Sequence, residues 1–349
     1  MKKAFVLLLT GLILSAGCVP IEPPELQVVL EQQNVGFDTY VEPLAELESE
    51  QVPTLAPSPA DAVPPEVNHT LYSGGIYMYN FEFDTVVYAR GEHERFPPAS
   101  IAKILTLLVV LESVDDLNQY VAVTEAAFAP FDSGDPNMED AATSRIEAGQ
   151  TNVTYLDALY GLMLPSGCEA ANILAYNVGG GCMDTFVVMM NEKAREIGAF
   201  NSNFKNASGL YEYDYYSTAY DMFLISKYTF EKYPLFMEIA SSPSWEMPPN
   251  SERPEGYPIR NTSAGLLLIH ELDYAIGIKI GSIFEVFRGG IRFDGFTTLV
   301  SMASKNGLTF MTVSLDADYY DEEGGRSDWH YSDHAELYEW VYGQFTIES

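Results

Sequence analysis

The chain has 349 residues, and 47% of them are apolar and 13% aromatic, as in a globular protein. Against 50 Asp and Glu stand only 18 Lys and Arg, a formal net charge of -32. That balance excludes a basic nucleic-acid-binding face and an electrostatic hold on anionic lipid. The three cysteines, Cys18, Cys168 and Cys182, are too few to form a disulfide framework.

Met1-Lys2-Lys3, the apolar run Ala4 to Leu14, and Ser15-Ala16-Gly17 read as a signal peptide over residues 1–17, too short to span a bilayer. Small residues directly before Cys18 resemble a bacterial lipobox, with Ser15 where Leu is commonest. That resemblance implies cleavage before Cys18 and a diacylglyceryl group on its sulfur. The mature protein is then expected as an exported lipoprotein on the outer face of the cytoplasmic membrane. No other segment is long and apolar enough to span a bilayer.

Residues 18–68 carry no Lys or Arg and are rich in Pro and Glu, as in Val52-Pro53-Thr54-Leu55-Ala56-Pro57. Such a segment cannot bury enough apolar surface to offset its ordering entropy, so it reads as an extended tether behind the anchor. Folding is expected over residues 69–349.

Ile76 to Tyr79 and Thr85 to Tyr88 flank a polar break and predict a β-hairpin. Ser100 to Leu111 is strongly helical. The stretch from Thr154 to Phe230 is mostly helical: one helix carries Asp157, Leu159, Leu162 and Met163, and another runs from Thr185 to Ile197 and is closed by Gly198. Ser217-Thr218 with Asp221 predicts a capping box at a third. Cys168 starts a helix and Cys182 follows its Gly-rich end. About 10 helical residues separate such ends by roughly 15 Å, so the two cannot pair, and both read as free thiols. Strands return at Thr297 to Ser304 and Leu308 to Leu315, joined at Asn306-Gly307, a strong hairpin signal. His334 to Phe345 reads as a terminal helix. The pattern predicts an α+β domain, its antiparallel sheet built from both ends of the domain and flanked by helices, with a mostly helical insertion between. Too few residues follow the sheet for a second C-terminal β-domain.

Three short stretches carry candidate chemistry. Pro98-Ala99-Ser100-Ile101-Ala102-Lys103 places a hydroxyl and an amine one turn apart at a helix start, where the positive helix end favours developing negative charge. Lys103 acts as a base only when neutral, which burial and a second nearby cation achieve. Alone, Ser-x-x-Lys is a weak signal; Ser202-Asn203-Phe204-Lys205 matches it in a loop. The other stretches are Ser166-Gly167-Cys168 and Lys279-Ile280-Gly281-Ser282, the latter on a predicted strand. Ser-x-x-Lys, Ser-x-Asn and Lys-Thr-Gly in this order mark β-lactamases and penicillin-binding proteins. Over about residues 70 to 345 the chain resembles the low-molecular-weight penicillin-binding proteins, the serine D-Ala-D-Ala carboxypeptidases. Gly179-Gly180, Phe186, Met190-Asn191, Ala194 and Gly198 contribute to the likeness. So do Asn206, Gly209-Leu210, Ser217-Thr218, Asp221, and Asn261-Thr262 before Leu267-Leu268.

The resemblance implies a β-lactamase/transpeptidase-like fold, peptidoglycan stem peptides as substrate, β-lactams as covalent inhibitors, and no cofactor or metal. It implies that Ser100 attacks the carbonyl between two D-alanines, Lys103 takes its proton, and Ser166 relays a proton to the leaving D-alanine. Lys279 would help bind the substrate carboxylate, and the N–H groups of Ser100 and Ser282 would form the oxyanion hole. Release by water makes a carboxypeptidase, release by an amine a transpeptidase.

Two positions depart from the family pattern. Cys168 replaces an Asn, and a thiol is only a weak donor. Ile280 replaces a Thr and loses a hydroxyl that would reach the substrate carboxylate. These departures keep open a rival reading, a penicillin-binding fold that holds cell-wall peptides without turnover. A class A β-lactamase would need a Glu-x-x-Leu-Asn stretch, which is absent. The five histidines lie near no Gly-x-Ser-x-Gly elbow, and the acidic run Asp316, Asp318, Asp321, Glu322 and Glu323 lacks calcium-loop spacing and reads as a solvated loop.

Overall fold

The structure is a computed structural model; it describes residues 71–344 except 134–137, 139–140, 266–268, 289–290 and 322. Residues 1–17, Cys18, the tether, His69, Leu267, Leu268, Glu322 and Phe345 lie outside the described residues. In chain order come β1 (Gly75–Asn80) and β2 (Thr85–Arg90), then α1 (Lys103–Ser113), α2 (Tyr155–Met163), α3 (Cys168–Val178), α4 (Met183–Ile197), α5 (Ala219–Lys232) and α6 (Pro234–Ser241). Strands β3 (Ser244–Met247), β4 (Tyr257–Arg260), β5 (Ala275–Arg288), β6 (Ile291–Lys305) and β7 (Leu308–Asp318) follow, and α7 (Trp329–Gln344) closes the chain.

The sheet order is β2-β1-β7-β6-β5, antiparallel throughout. The N-terminal hairpin thus joins the C-terminal strands through β1 and β7, with Ile76 opposite Ser314 and Tyr79 opposite Met311. Because β1 is interior to the sheet and covered on both faces, all six of its residues are buried. Asn306 and Gly307 have φ of 56° and 72°, the paired positive values of a two-residue turn matched to strand twist, and they set Lys305 opposite Leu308.

Alternation along the strands divides the core. Tyr77, Tyr79, Val300, Met302, Met311 and Val313 face the helical region in one apolar cluster, which α1 enters as a helix buried from Lys103 through Val110. Ile76, Met78, Leu299, Ala303 and Phe310 face the opposite side, where Leu337, Tyr338 and Val341 of α7 cover them. The first is the front face of the sheet and the second its back face.

Local signals explain the helix ends. Thr154 and Asp157 form a reciprocal capping box on α2. Gly198, at φ 99°, ends α4 in the left-handed conformation that favours glycine. At α5 the predicted box is half present. Thr218 caps the Asp221 N–H, but the Asp221 carboxylate accepts from Asn201 N and Ser202 Oγ instead. Helix α7 begins five residues before the predicted start, and the β3–β4 hairpin was not predicted; its strands are only four residues long. Cys168 is buried and free. Cys182 has a partner, which corrects its reading as a free thiol. The helix-length argument excluded only the pair Cys168–Cys182.

Candidate active site

Ser100 lies in a single 3₁₀ turn, Ala99–Ala102, that runs directly into α1, of which Lys103 is the first residue. The three-residue spacing stacks the two side chains, and Lys103 Nζ is 3.0 Å from Ser100 Oγ. Ser100 is part-exposed at the helix start, where unsatisfied backbone N–H groups concentrate. Lys103 is fully buried. Burial pushes its amine down from the usual lysine range, while the Cys168 sulfur and the Glu169 carboxylate pull it part of the way back.

The turn is held by its neighbours. Ala99 has φ 48°, a left-handed value that costs a non-glycine residue about 1–3 kcal/mol and persists only where packing dictates it. Here two glycines press on it. A Cβ on Gly209 would lie 2.0 Å from Ala99 O, and one on Gly281 would lie 2.8 Å from Ser100 N and 2.9 Å from Ala99 Cβ. Thr298 of β6 adds a hydrogen bond from Oγ1 to Pro98 O at 3.2 Å. The edge strand β5 and the loop at Gly209 therefore clasp the Ser100 backbone from two sides.

Cys168 opens α3 with its Sγ 3.5 Å from Lys103 Nζ and 3.8 Å from Ser166 O. Ser166, like Ala99, has a positive φ, 66°, and its Oγ is buried with no hydrogen-bond partner among the described residues. The loop is fixed by Glu169, whose Oε1 accepts from Thr143 Oγ1 (2.7 Å), Ser144 N (2.6 Å) and Ser144 Oγ (2.9 Å).

Lys279 reaches the site because β5 is bulged. Gly277 opposes Ser301 and Lys279 opposes Val300, so Ile278 is an extra residue and both Ile278 and Lys279 fall on the front face. A Cβ at Gly277 would meet Ser263 O at 1.8 Å, so only glycine fits there. Lys279 is fully buried and donates to Ile280 O at 2.9 Å. Burial drives its amine well below the usual range, and the charge on Lys103 adds to the shift. The neighbouring Lys103 charge thus disfavours protonation of Lys279, while the Lys103 amine is lowered by burial alone.

Beyond the bulge the alternation resumes. Ile280 is 8% exposed and belongs to the back-face cluster with Leu299 and Tyr331, not to the pocket around Lys103. Its N–H donates to Ser263 Oγ at 3.1 Å. Ser282 follows on the same edge strand, part-buried, opposite Thr297. The structure thus gathers Ser100, Lys103, Cys168 and Lys279 around one buried pocket, with Ser166 beside it and Gly281 against the Ser100 turn. Sequence reading missed Glu169, Ser208, Thr298 and Ser263. The first three act through hydrogen bonds to residues distant in the chain, Glu169 to Thr143 and Ser144, Ser208 O to Lys103 and Thr298 to Pro98, which leave no periodicity or spacing to read.

An α+β frame that presents a serine, a buried lysine and a second buried lysine at the sheet edge defines the penicillin-binding serine class. The sequence profile of the D-alanyl-D-alanine carboxypeptidase family matches residues 73–318, and the chain belongs to that family. It is 34% identical over 146 residues to D-alanyl-D-alanine carboxypeptidase DacF of Bacillus subtilis, covering 41% of this chain and 35% of that protein. To D-alanyl-D-alanine carboxypeptidase of Streptomyces sp. strain K15 it is 32% identical over 171 residues, 47% of this chain and 56% of that one. The chain therefore spans about a third to a half of the curated relatives it matches. Among solved structures, an alanine variant of the Streptomyces K15 DD-transpeptidase superposes with a TM-score of 0.65 at 24% identity, covering 79% of this chain and 99% of that chain. The D-alanyl-D-alanine carboxypeptidase from Mycobacterium tuberculosis superposes at 0.62 with 26% identity, over 80% and 96% of the two chains. These bear out the predicted fold.

Proposed function

We propose that this protein is a serine D-alanyl-D-alanine carboxypeptidase or DD-transpeptidase acting on peptidoglycan stem peptides. The observation that carries the reading is Lys103 Nζ at 3.0 Å from Ser100 Oγ in a buried pocket shared with Lys279. Ser100 Oγ attacks the carbonyl carbon between two D-alanines as Lys103 takes its proton. The tetrahedral oxyanion receives N–H donors from Ser100 and Ser282, on backbone segments that Gly281 brings into contact. The C–N bond then breaks and the leaving D-alanine nitrogen gains a proton through Ser166. Water or an amine releases the acyl group and returns Ser100. Lys279 attracts the substrate carboxylate. Cys168 sits where it accepts from Lys103 rather than donating to substrate, so it serves the base and is not the nucleophile.

Release of D-alanine from a stem pentapeptide by the wild-type chain, abolished in Ser100→Ala, tests this reading. Binding of the peptide without release would instead favour a non-catalytic binding module, the reading that Cys168 and Ile280 keep open.

The same proposal includes export and a lipid on Cys18, with residues 18–68 as spacer and the folded domain beyond it. It rests on the order of basic, apolar and small residues before Cys18. The mass of the Cys18 peptide from membrane-extracted protein tests it. A diacylglyceryl adduct is expected; a disulfide between Cys18 and Cys182 would take the place of the lipid and contradict it.

A further inference from the structure

The loop after α4 ends in a turn that the chemistry above does not use. Asn206 organises it. Its Oδ1 accepts from Ser208 N (3.1 Å), Ser208 Oγ (3.1 Å) and Gly209 N (2.8 Å). Its Nδ2 donates to Leu210 O (2.9 Å) and to Glu212 Oε1 (2.7 Å). Thr106, one turn along α1 from Lys103, donates from Oγ1 to Ala207 O at 2.7 Å and ties the turn to the catalytic helix. The turn leads to two contacts at the nucleophile: Gly209 packs on the Ala99–Ser100 peptide, and the Ser208 carbonyl accepts a hydrogen bond from Lys103 Nζ.

The Ser208 contact decides where the lysine lone pair points. A neutral amine has two N–H groups and one lone pair. Lys103 Nζ has three neighbours: Ser208 O, Cys168 Sγ and Ser100 Oγ. A carbonyl oxygen only accepts, so one N–H must go to Ser208. The Cys168 sulfur, a weak acceptor, takes the other. The lone pair is then left facing Ser100 Oγ, the one neighbour with a proton to give in the reaction.

We propose that Asn206 is a positioning residue for the general base: it folds the turn that holds the Ser208 carbonyl on Lys103 and thereby aims the lysine lone pair at Ser100. The inference rests on the assignment of Lys103 as base, but its first test does not. The side-chain carbon next to Nζ of Lys103, labelled with carbon-13 and assigned with Lys103→Arg, is followed by NMR across pH in the wild type and in Asn206→Ala. The Ser208 carbonyl stabilises the ammonium more than the amine, so loss of its hold lowers the Lys103 midpoint. A midpoint that does not move in a folded variant overturns the proposal, whether or not the protein is an enzyme.

The second test is the rate of acylation by a labelled penicillin. Asn206→Ala is expected to lose about ten- to a hundredfold in the acylation step, with little change in reversible binding and with its acid limb moved to lower pH. Asn206→Asp keeps the Oδ1 acceptor but loses the Nδ2 donor and faces Glu212. Adding Glu212→Gln restores a donor across that contact, so the double variant is expected to recover most of the rate that Asn206→Asp loses. A pure packing role would instead show equal losses in melting temperature and rate, with no shift of the pH limb and no rescue, and would overturn the proposal. A wild type that is never acylated contradicts the enzymatic reading, while the lysine titration still decides the role of Asn206.

Discussion

Ile280→Thr separates carboxylate recognition from packing. The family resemblance implies a threonine hydroxyl at this position on the substrate carboxylate, whereas the Ile280 side chain is 8% exposed and packed on the back face with Leu299 and Tyr331. The substitution removes the outer methyl and exchanges a methylene for a hydroxyl. At about 0.8 kcal/mol per buried carbon the apolar loss is roughly 1.6 kcal/mol, and a buried hydroxyl without a partner adds about 1–3 kcal/mol. Thermal unfolding should fall accordingly, by at least about 5 °C at roughly 2–4 °C per kcal/mol for a domain of this size. A hydroxyl that did reach the carboxylate would instead contribute about 1.5–3 kcal/mol, or roughly ten- to a hundredfold in turnover. Kinetics on a D-Ala-D-Ala peptide with a free C-terminal carboxylate and on its amide distinguish the two effects. Because the side chain lies on the back face, away from the pocket around Lys103, the account predicts a lower melting temperature and no rate gain on either substrate. A rate gain confined to the free acid would refute that placement and restore the hydroxyl's role in carboxylate recognition.

Gly281→Ala would place a Cβ 2.4 Å from Thr298 Oγ1 and 2.8 Å from Ser100 N, so it must move the nucleophile turn; acylation by penicillin should fall more than a hundredfold (about 3 kcal/mol) while circular dichroism shows a folded chain. Cys168→Ser keeps a small acceptor beside Lys103 and should retain acylation within about tenfold; a dead but folded variant would assign the thiol a chemical role. His330 is buried with both ring nitrogens unpartnered among the described residues, and burial lowers its pKa to about 3. It stays neutral in the fold while the unfolded chain protonates near 6.5, so its stabilisation is complete above that value and is lost progressively as pH falls towards 3. His330→Phe should therefore spare about 2 kcal/mol of the stability otherwise lost between pH 7 and pH 5, read as a flatter profile of denaturant midpoints. Comparison with the wild type is needed because the raised carboxyls of Asp221, Asp316 and Asp333 act in the opposite direction.

The fold was legible where sequence pattern and burial share a period. The Asn306-Gly307 turn, the apolar β6 and β7, and the α4 stop at Gly198 follow from side-chain alternation and from backbone angles that few residues adopt. The motif order located the pocket residues. What could not be read is the register that aims them. The Gly277 bulge puts Lys279 on the same face as Ile278, and only the close approach of the Ser263 carbonyl requires it. It also sends Ile280 to the back face, a destination that the linear motif does not carry. Hydrogen bonds accepted by Glu169 and the Ser208 carbonyl, and donated by Thr298, join residues 25 to 200 positions apart, so local periodicity holds no trace of them.

The central claim proposed is that Lys103, its amine lowered by burial, activates Ser100. Mass spectrometry of the folded domain after incubation with a labelled penicillin tests it most directly. The account predicts one adduct, on the peptide containing Ser100, absent in Ser100→Ala and formed far more slowly in Lys103→Ala, with an acid limb set by the lowered lysine. An adduct that persists in Ser100→Ala, or a Lys103→Ala variant that acylates at the wild-type rate, would contradict it.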